Sequence, residues 1–263
     1  MPQRYFLHLA YDGSRYHGWQ VQPGTLTVQS ELDRCLRQVL RQPELYTVGS
    51  GRTDSGVHAR HQVAHFEADM PAGLDETLLL YRLRRALPAD IAPLALHPVG
   101  EQTHARFDAE ARTYEYHVLT RPDPFRRDQA LLVDRLLSLD ALNEAAATLV
   151  GQRDFTTFSK VKGGENHYVC YCYEASWTAV PGGLVFRIRA NRFVRGMVRL
   201  VVGTLLDVGR GRLTPGEFQQ LLWSQSRVEA GSAAPARGLF LSKVEYGPGI
   251  VPSAQASLLR VAE

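Results

Sequence analysis

An aspartate stands at the centre of a glycine-flanked segment near residue 54. The sequence at 49–59 reads GSGRTDSGVHA, in which Asp54 follows Arg52 by two residues. Glycines allow a close backbone approach or a positive φ, and a nearby guanidinium stabilises the negative charge of a carboxylate. Such a carboxylate can attack a substrate as a nucleophile or remove a proton. Asp54 is therefore a candidate catalytic residue.

Two other interpretations of this segment stay open. In the first, Asp54 caps the backbone of a tight turn and has no chemical role. In the second, Asp54-Ser55-Gly56 supplies half of an aspartic-protease dyad, in which two carboxylates share a proton. No second Asp-Ser-Gly or Asp-Thr-Gly occurs in the chain, so a protease of this kind requires a homodimer.

Three arginines follow helical spacing in a later segment. Arg192, Arg195 and Arg199 lie at positions i, i+3 and i+7, which share one face wherever the chain is helical, and a helix is predicted at 193–208. A solvated basic stripe is one interpretation. Gly196 and Gly203 favour another, because glycines lower helix propensity and permit close packing, which indicates that something approaches this helix.

Arginines and aromatic residues also meet in two short segments. Arg106-Phe107 is followed by Arg112, Tyr114 and Tyr116, and the last three share one side of a predicted strand. A ring beside a cation can stack on a nucleobase, as RNA-binding proteins do. Tyrosines that simply fill the core are the equal alternative.

Metal and cofactor motifs are absent from the sequence. His58, His61 and His65 have no acidic or thiol partner at matching spacing. The pair Cys170 and Cys172 alternates on a predicted strand and is expected to pack in the core. Neither of the glycine-rich nucleotide loops occurs. We therefore expect no metal and no cofactor.

The elements that must position these residues follow from apolar periodicity and turn signals. Strands alternate with helices, and short loops between strands favour antiparallel pairing, so the sequence predicts an α+β fold with helices packed on one face of a mainly antiparallel sheet. The predicted halves are 1–105, with the aspartate segment, and 106–263, with the tyrosine strand and arginine helix. The predicted helices are 28–40, 76–86, 141–150, 193–208 and 215–223, and the predicted strands are 4–11, 44–49, 62–68, 91–98, 111–119, 168–179, 184–190 and 240–246.

Composition is that of an ordinary globular protein. The 263 residues are 44% hydrophobic and 22% charged, which excludes a wholly disordered or collagen-like chain. No apolar run is long enough to span a membrane and the first residues do not resemble a signal peptide, so we expect a cytoplasmic protein. Three cysteines do not form a secreted disulfide framework.

The net charge is +3, and all but three of the 30 basic residues are arginine. Arginine suits phosphates and base edges, but a genome-wide codon bias gives the same ratio. Basicity alone therefore does not establish a nucleic-acid partner.

Taken together, the ordered motifs resemble the TruA-type tRNA pseudouridine synthase family over nearly the whole chain. Each motif alone is weak, and their order is specific. They are AYDG at 10–13, YHGWQ at 16–20, TVQ at 27–29, GRTDSGVHA at 51–59, HARF at 104–107, RTYEY at 112–116, FVRGMVR at 193–199, VG at 202–203 and APARGL at 234–239.

This resemblance implies the pseudouridine synthase fold, with two similar halves around a central cleft, and isomerisation of uridine to pseudouridine without metal or cofactor. Asp54 would be the essential carboxylate, which attacks the target uridine or abstracts a ribose proton. Arg52 would help to bind or expose the target nucleotide, Tyr114 would stack on the flipped uracil and assist removal of its C5 proton, and Arg199 would pair with Asp54.

The resemblance also implies a tRNA substrate, modified at positions 38, 39 and 40 of the anticodon stem-loop, and a homodimer with a basic cleft. The segment 158–167 departs from the commonest family form and holds two of the three lysines, so it is a candidate RNA-contacting loop. Two competing hypotheses are a non-catalytic RNA-binding protein and the homodimeric aspartic protease.

Overall fold

A computed structural model describes residues 2–160, 167–227 and 231–252, which divide between two compact units. The first unit takes the described residues up to Glu110 and those from Leu241 onward, and the second runs from Ala111 to Phe240. Most of the candidate RNA-contacting loop, residues 161–166, lies outside the described residues.

The first unit is built on a sheet in which β1 pairs antiparallel with both β3 and β4, β2 pairs antiparallel with β3, and β10 lies on the other side of β3. Its helices α1 and α2 pack against each other, and α2 packs against β4. The elements are β1 (Gln3–Tyr11), α1 (Val28–Leu40), β2 (Val48–Gly49), β3 (His58–Ala68), α2 (Glu76–Ala86), β4 (Ile91–Val99) and β10 (Leu239–Tyr246).

Each of the two helices of the first unit begins after a residue whose side chain caps its first turn. Thr27 accepts a hydrogen bond from the Ser30 backbone N–H, and the Ser30 hydroxyl oxygen accepts one from the Thr27 N–H, which closes a capping box at the start of α1. Asp75 accepts from the Leu78 N–H at the start of α2. The predicted bounds 28–40 and 76–86 are confirmed.

The second unit has a sheet in the order β5-β9-β8-β7, with antiparallel neighbours, and β6 pairs parallel with β5. Helix α3 packs on β8, and α3, α4 and α5 contact one another. The elements are β5 (Ala109–Leu119), β6 (Leu131–Leu132), α3 (Leu139–Ala147), β7 (Gly151–Asp154), β8 (Val169–Val180), β9 (Gly183–Ala190), α4 (Met197–Gly209) and α5 (Pro215–Ser224), followed by a short 3-10 turn at Ala236–Gly238.

The α+β prediction and its mainly antiparallel sheet are confirmed, and every predicted strand and helix overlaps an observed one. The strands β6 and β7 are not among the predicted ones, because they have two and four residues and therefore too little alternation to detect. Among the described residues, no helix is long and apolar enough to cross a bilayer.

Candidate active site

Asp54 lies in the loop at 50–57 that joins β2 to β3. Its side chain is half-buried, Arg52 is exposed, and Thr53 between them is buried. The Asp54 carbonyl accepts a hydrogen bond from the Val57 N–H at 3.1 Å, and Gly56 takes a φ of +75° in the same turn. The turn is thus closed by backbone groups of Asp54.

The aspartate loop is clasped by the segment 11–19, which carries two of the sequence motifs. The Thr53 carbonyl accepts from the Trp19 N–H at 3.1 Å, and the Gly56 N–H donates to the Tyr16 carbonyl at 3.2 Å. The hydroxyls of Tyr11 and Thr53 are hydrogen-bonded at 2.8 Å. Bonds therefore fix the backbone on both sides of Asp54.

Two glycines make this clasp possible. A Cβ on Gly13 would lie 2.0 Å from the Val57 carbonyl oxygen, and one on Gly18 would lie 2.4 Å from that of Thr53. Both distances are far inside van der Waals contact, and Gly18 also has a φ of +88°. The glycines at these two motif positions are therefore explained by the close approach of two backbone segments.

Helix α1 supports the loop from the side of β2. The Gln29 side chain accepts from the Val21 N–H at 3.0 Å and donates to the Thr47 carbonyl at 2.6 Å. Asp33 Oδ1 accepts from the backbone N–H and the hydroxyl of Thr47 at 2.9 and 2.7 Å. Burial raises the pKa of Asp33, and the bonds from Thr47 counter part of that rise. The start of β2 is thus tied to α1.

Strand β3 supports the loop from its other end. The Ser50 N–H donates to the Val63 carbonyl at 2.7 Å, and the Gln62 amide donates to the Gly51 carbonyl at 3.2 Å. Since Ser50 and Val63 are both buried, the bond between them is shielded from water.

In the second unit, the structure separates the two tyrosines of β5. Tyr116 is fully buried and its hydroxyl donates to the Pro235 carbonyl at 2.9 Å, so it is a core residue. Burial raises the pKa of Tyr116. Tyr114 is half-buried, and its ring meets that of Phe193 edge to face with centroids 5.0 Å apart. Tyr114 is thus partly exposed, in contrast to Tyr116.

Arg199 lies in the first turn of α4, which begins at Met197. Its Nε–H donates to the Ala234 carbonyl at 2.7 Å, and the Ala234 N–H donates to the Arg199 carbonyl at 2.8 Å. The first bond orients the guanidinium, and the second ties the backbone of Arg199 to Ala234. A Cβ on Gly203 would lie 1.9 Å from the Ser232 carbonyl oxygen. Because glycine has no Cβ, the chain at 232–234 can approach this helix closely.

The prediction that Arg192, Arg195 and Arg199 share one helix face is wrong. Gly196 is the N-cap of α4 with a φ of +77°, a left-handed conformation that a right-handed helix does not contain. Arg192 and Arg195 therefore lie in the loop before the helix, and only Arg199 is helical. The expectation of a close approach to the glycines of this segment is confirmed at Gly203.

The three histidines considered as metal ligands each accept a different backbone hydrogen bond. His58 accepts from the Gly13 N–H at 3.1 Å, His61 from Val244 at 3.2 Å and His65 from Ala105 at 3.1 Å. Across the part of the chain that the structure describes, no three histidine, cysteine or acidic side chains are grouped to hold a metal ion.

The structure thus places Asp54 and Arg52 in the first unit, and Tyr114 and Arg199 in the second. Sequence reasoning gave no role to three supporting residues: Tyr11, Gln29 and Phe193. All three belong to the family motifs. Their partners lie elsewhere in the sequence, and only the folded structure shows which residues they contact. Their type alone therefore did not predict these contacts.

Comparisons with a family model and with known proteins point to the same family. Residues 145–247 match a family model described as tRNA pseudouridine synthase. A protein of Parabacteroides distasonis named tRNA pseudouridine synthase A is 43% identical over 250 residues, which cover 95% of this chain and 98% of the relative. Proteins of the same name from Bacteroides thetaiotaomicron and Bacillus subtilis are 47% and 40% identical, covering 93% and 90% of this chain and 91% and 97% of their own lengths.

Proposed function

The chain belongs to the tRNA pseudouridine synthase family, and from that premise we propose that it converts uridine to pseudouridine in tRNA with Asp54 as the catalytic carboxylate. The enzyme is an isomerase: the bond from C1′ to N1 of uracil breaks, a bond from C1′ to C5 forms, and the C5 proton is released while one is gained at N1. The observation that carries the proposal is the coverage of the alignments: with the first two relatives, the matched residues make up more than 90% of this chain and more than 90% of the relative.

The geometry of the aspartate loop supports the assignment of Asp54. A catalytic group must be held close to its productive position, and hydrogen bonds on both sides fix the backbone here. Asp54 is half-buried, so its side chain extends from a fixed backbone and is still partly exposed to a substrate. Asp54 would attack the uridine or abstract a ribose proton, and either step frees the uracil to rotate.

The remaining roles follow from the family. We propose that Arg52, which is exposed, helps to bind or expose the target nucleotide. The half-buried ring of Tyr114, packed edge to face on Phe193, would stack on the flipped uracil and assist loss of the C5 proton. Arg199 would be the cation that pairs with Asp54.

The substrate and assembly are proposed on the same basis. The target uridines would be those at positions 38, 39 and 40 of the anticodon stem-loop, and the enzyme would act as a homodimer in the cytoplasm, where its tRNA substrate is found. Light scattering of the purified protein measures its mass in solution. A monomeric mass, with or without tRNA, would contradict the homodimer.

The function is tested by mapping pseudouridine in an unmodified tRNA transcript after incubation with the protein. Transcripts that carry uridine at only one of positions 38, 39 and 40 separate the three targets. Wild type is expected to form pseudouridine there and Asp54→Ala to form none while still binding tRNA. Binding without any product from wild type would favour the non-catalytic RNA-binding hypothesis instead.

A further inference from the structure

A short loop between β4 and β5 presents two side chains to solvent. In the 104–108 loop, Phe107 is 74% exposed, although exposure of a whole phenylalanine ring is unfavourable in water. Arg106 is exposed beside it, with its guanidinium carbon 5.7 Å from the ring centroid. The pair thus combines an exposed aromatic ring with a cation.

The loop is held in one conformation by its own hydrogen bonds. His104 Nδ1 accepts from the backbone N–H groups of both Arg106 and Phe107, at 3.1 and 3.3 Å. Asp108 accepts from the His104 N–H at 2.8 Å, and its own N–H donates back to the His104 carbonyl at 3.1 Å. The exposed pair therefore stands on a preformed turn.

The same turn is anchored in the core of the first unit. The buried Ala105 donates its N–H to His65 Nδ1 at 3.1 Å and accepts from the Tyr246 hydroxyl at 2.6 Å. Ring contacts continue outward from β3: His65 meets His104 with centroids 4.6 Å apart, and His104 meets Phe107 at 4.2 Å. A column of rings thus runs from the core to the exposed phenylalanine.

Both histidines in this column act as acceptors, which requires neutral rings. Burial, followed by the positive charge of neighbouring groups, lowers the pKa of His65 to about 4. Burial also lowers the pKa of His104. At neutral pH the column therefore keeps the acceptors that hold the loop.

We propose that Arg106 and Phe107 form a contact for the tRNA substrate, in which the Phe107 ring stacks on an unpaired base and Arg106 binds a phosphate of the same strand. The inference rests on the proposed function, since it takes tRNA as the polyanion. A rigid ring loses little entropy on stacking, and an adjacent cation matches the phosphate chain. A polyanion with accessible bases fits this pair better than an apolar protein surface does, because one ring stands next to an exposed charge.

The test measures tRNA affinity at several salt concentrations for wild type, Phe107→Ala, Phe107→Tyr and Arg106→Ala. Trp223→Ala is the matched control, since Trp223 is also an exposed aromatic residue, at 63%, and its chain neighbours Leu222 and Ser224 carry no charge. Phe107→Ala is expected to weaken binding about tenfold with an unchanged salt dependence, and Phe107→Tyr to restore it, because stacking on a ring is worth roughly 1–3 kcal/mol and is uncharged.

Arg106→Ala is expected to reduce the slope of log affinity against log salt by about 0.7 to 0.9, the effect of one lost phosphate contact. In turnover assays Phe107→Ala should raise KM and leave kcat unchanged. The inference is overturned if Phe107→Ala binds tRNA as Trp223→Ala does, or if it changes only the oligomeric state. If wild type binds tRNA through this pair but forms no pseudouridine, the proposed function fails and the contact stands.

Discussion

Single side chains in this protein are separated into chemical and supporting roles by their surroundings. Tyr114 and Tyr116 are two residues apart on one strand, yet one keeps an accessible ring and the other is fully buried with its hydroxyl satisfied. The alternation along the strand predicts that both side chains lie on one side of it, but not which of them is buried. Their burial depends on contacts with residues that lie much later in the sequence.

The two tyrosines give a paired prediction. Tyr114→Phe keeps the ring contact with Phe193 and is expected to slow turnover strongly, since the proposed proton-transfer hydroxyl is lost. Tyr116→Phe removes the hydroxyl that donates to the Pro235 carbonyl and is expected to lower the free energy of unfolding by about 1 kcal/mol. Denaturant unfolding and tritium release from C5-labelled uridine measure both effects. Wild-type turnover by Tyr114→Phe would remove its role in proton transfer.

Gly18 offers a second residue-scale prediction, with Gly24 as its control. Both have positive φ, +88° and +70°, so alanine strains the backbone similarly at each position. Only at Gly18 does the new Cβ meet the Thr53 carbonyl, and nothing lies within 4 Å at Gly24. Gly18→Ala should therefore lower both stability and turnover well beyond Gly24→Ala. Equal effects in unfolding and turnover assays would show that the clasp does not position Asp54.

At the scale of elements, the sequence was most informative where the signals are local. The spacing of apolar residues was enough to predict α1 and α2, and the structure shows that Thr27 and Asp75 cap their first turns. The start of α4 was predicted four residues too early. The apolar spacing already begins at residue 193, but Gly196 has a left-handed conformation, so the helix begins only after it. Bonds between the segment 11–19 and the aspartate loop join residues far apart in sequence, so no local pattern predicts them.

Helix α4 provides the element-scale prediction. Gly203→Ala should destabilise the protein by several kcal/mol, because the new methyl group would lie 1.9 Å from a backbone oxygen that has little freedom to move. Gly216→Ala in α5 is the control: its nearest neighbour is 4.0 Å away, so alanine should be neutral or stabilise the helix by up to about 1 kcal/mol. Thermal unfolding compares the two. A Gly203→Ala protein as stable as wild type would contradict the close packing at 232–234.

At the scale of the whole molecule, the first unit contains histidines that must stay neutral. Burial and neighbouring charges lower the pKa of both His61 and His65 to about 4, and each accepts a backbone N–H at Nδ1. Protonation would convert each acceptor into a donor that faces another donor. Histidines in the unfolded chain bind protons near pH 6.5, so the unfolded state gains protons first as the pH falls.

Stability is therefore expected to be full above about pH 6.5 and to decrease as the pH falls towards 4. His65→Gln, which keeps an acceptor but does not titrate, should flatten this dependence. His17→Gln at an exposed position should not. Thermal unfolding between pH 7.5 and 5, at roughly half-unit intervals, checks the trend while most carboxylates remain ionised. A melting temperature that stays constant or rises on acidification would contradict it.

The central claim is that the carboxylate of Asp54, presented by a clasped loop, performs the chemistry. Single-turnover tritium release from C5-labelled uridine in tRNA, with enzyme in excess, measures the chemical step directly. Asp54→Asn preserves the shape of the side chain and removes its charge, and we expect it to fold and bind tRNA while releasing no tritium. Release at the wild-type rate by Asp54→Asn would contradict the account and assign the chemistry to another residue.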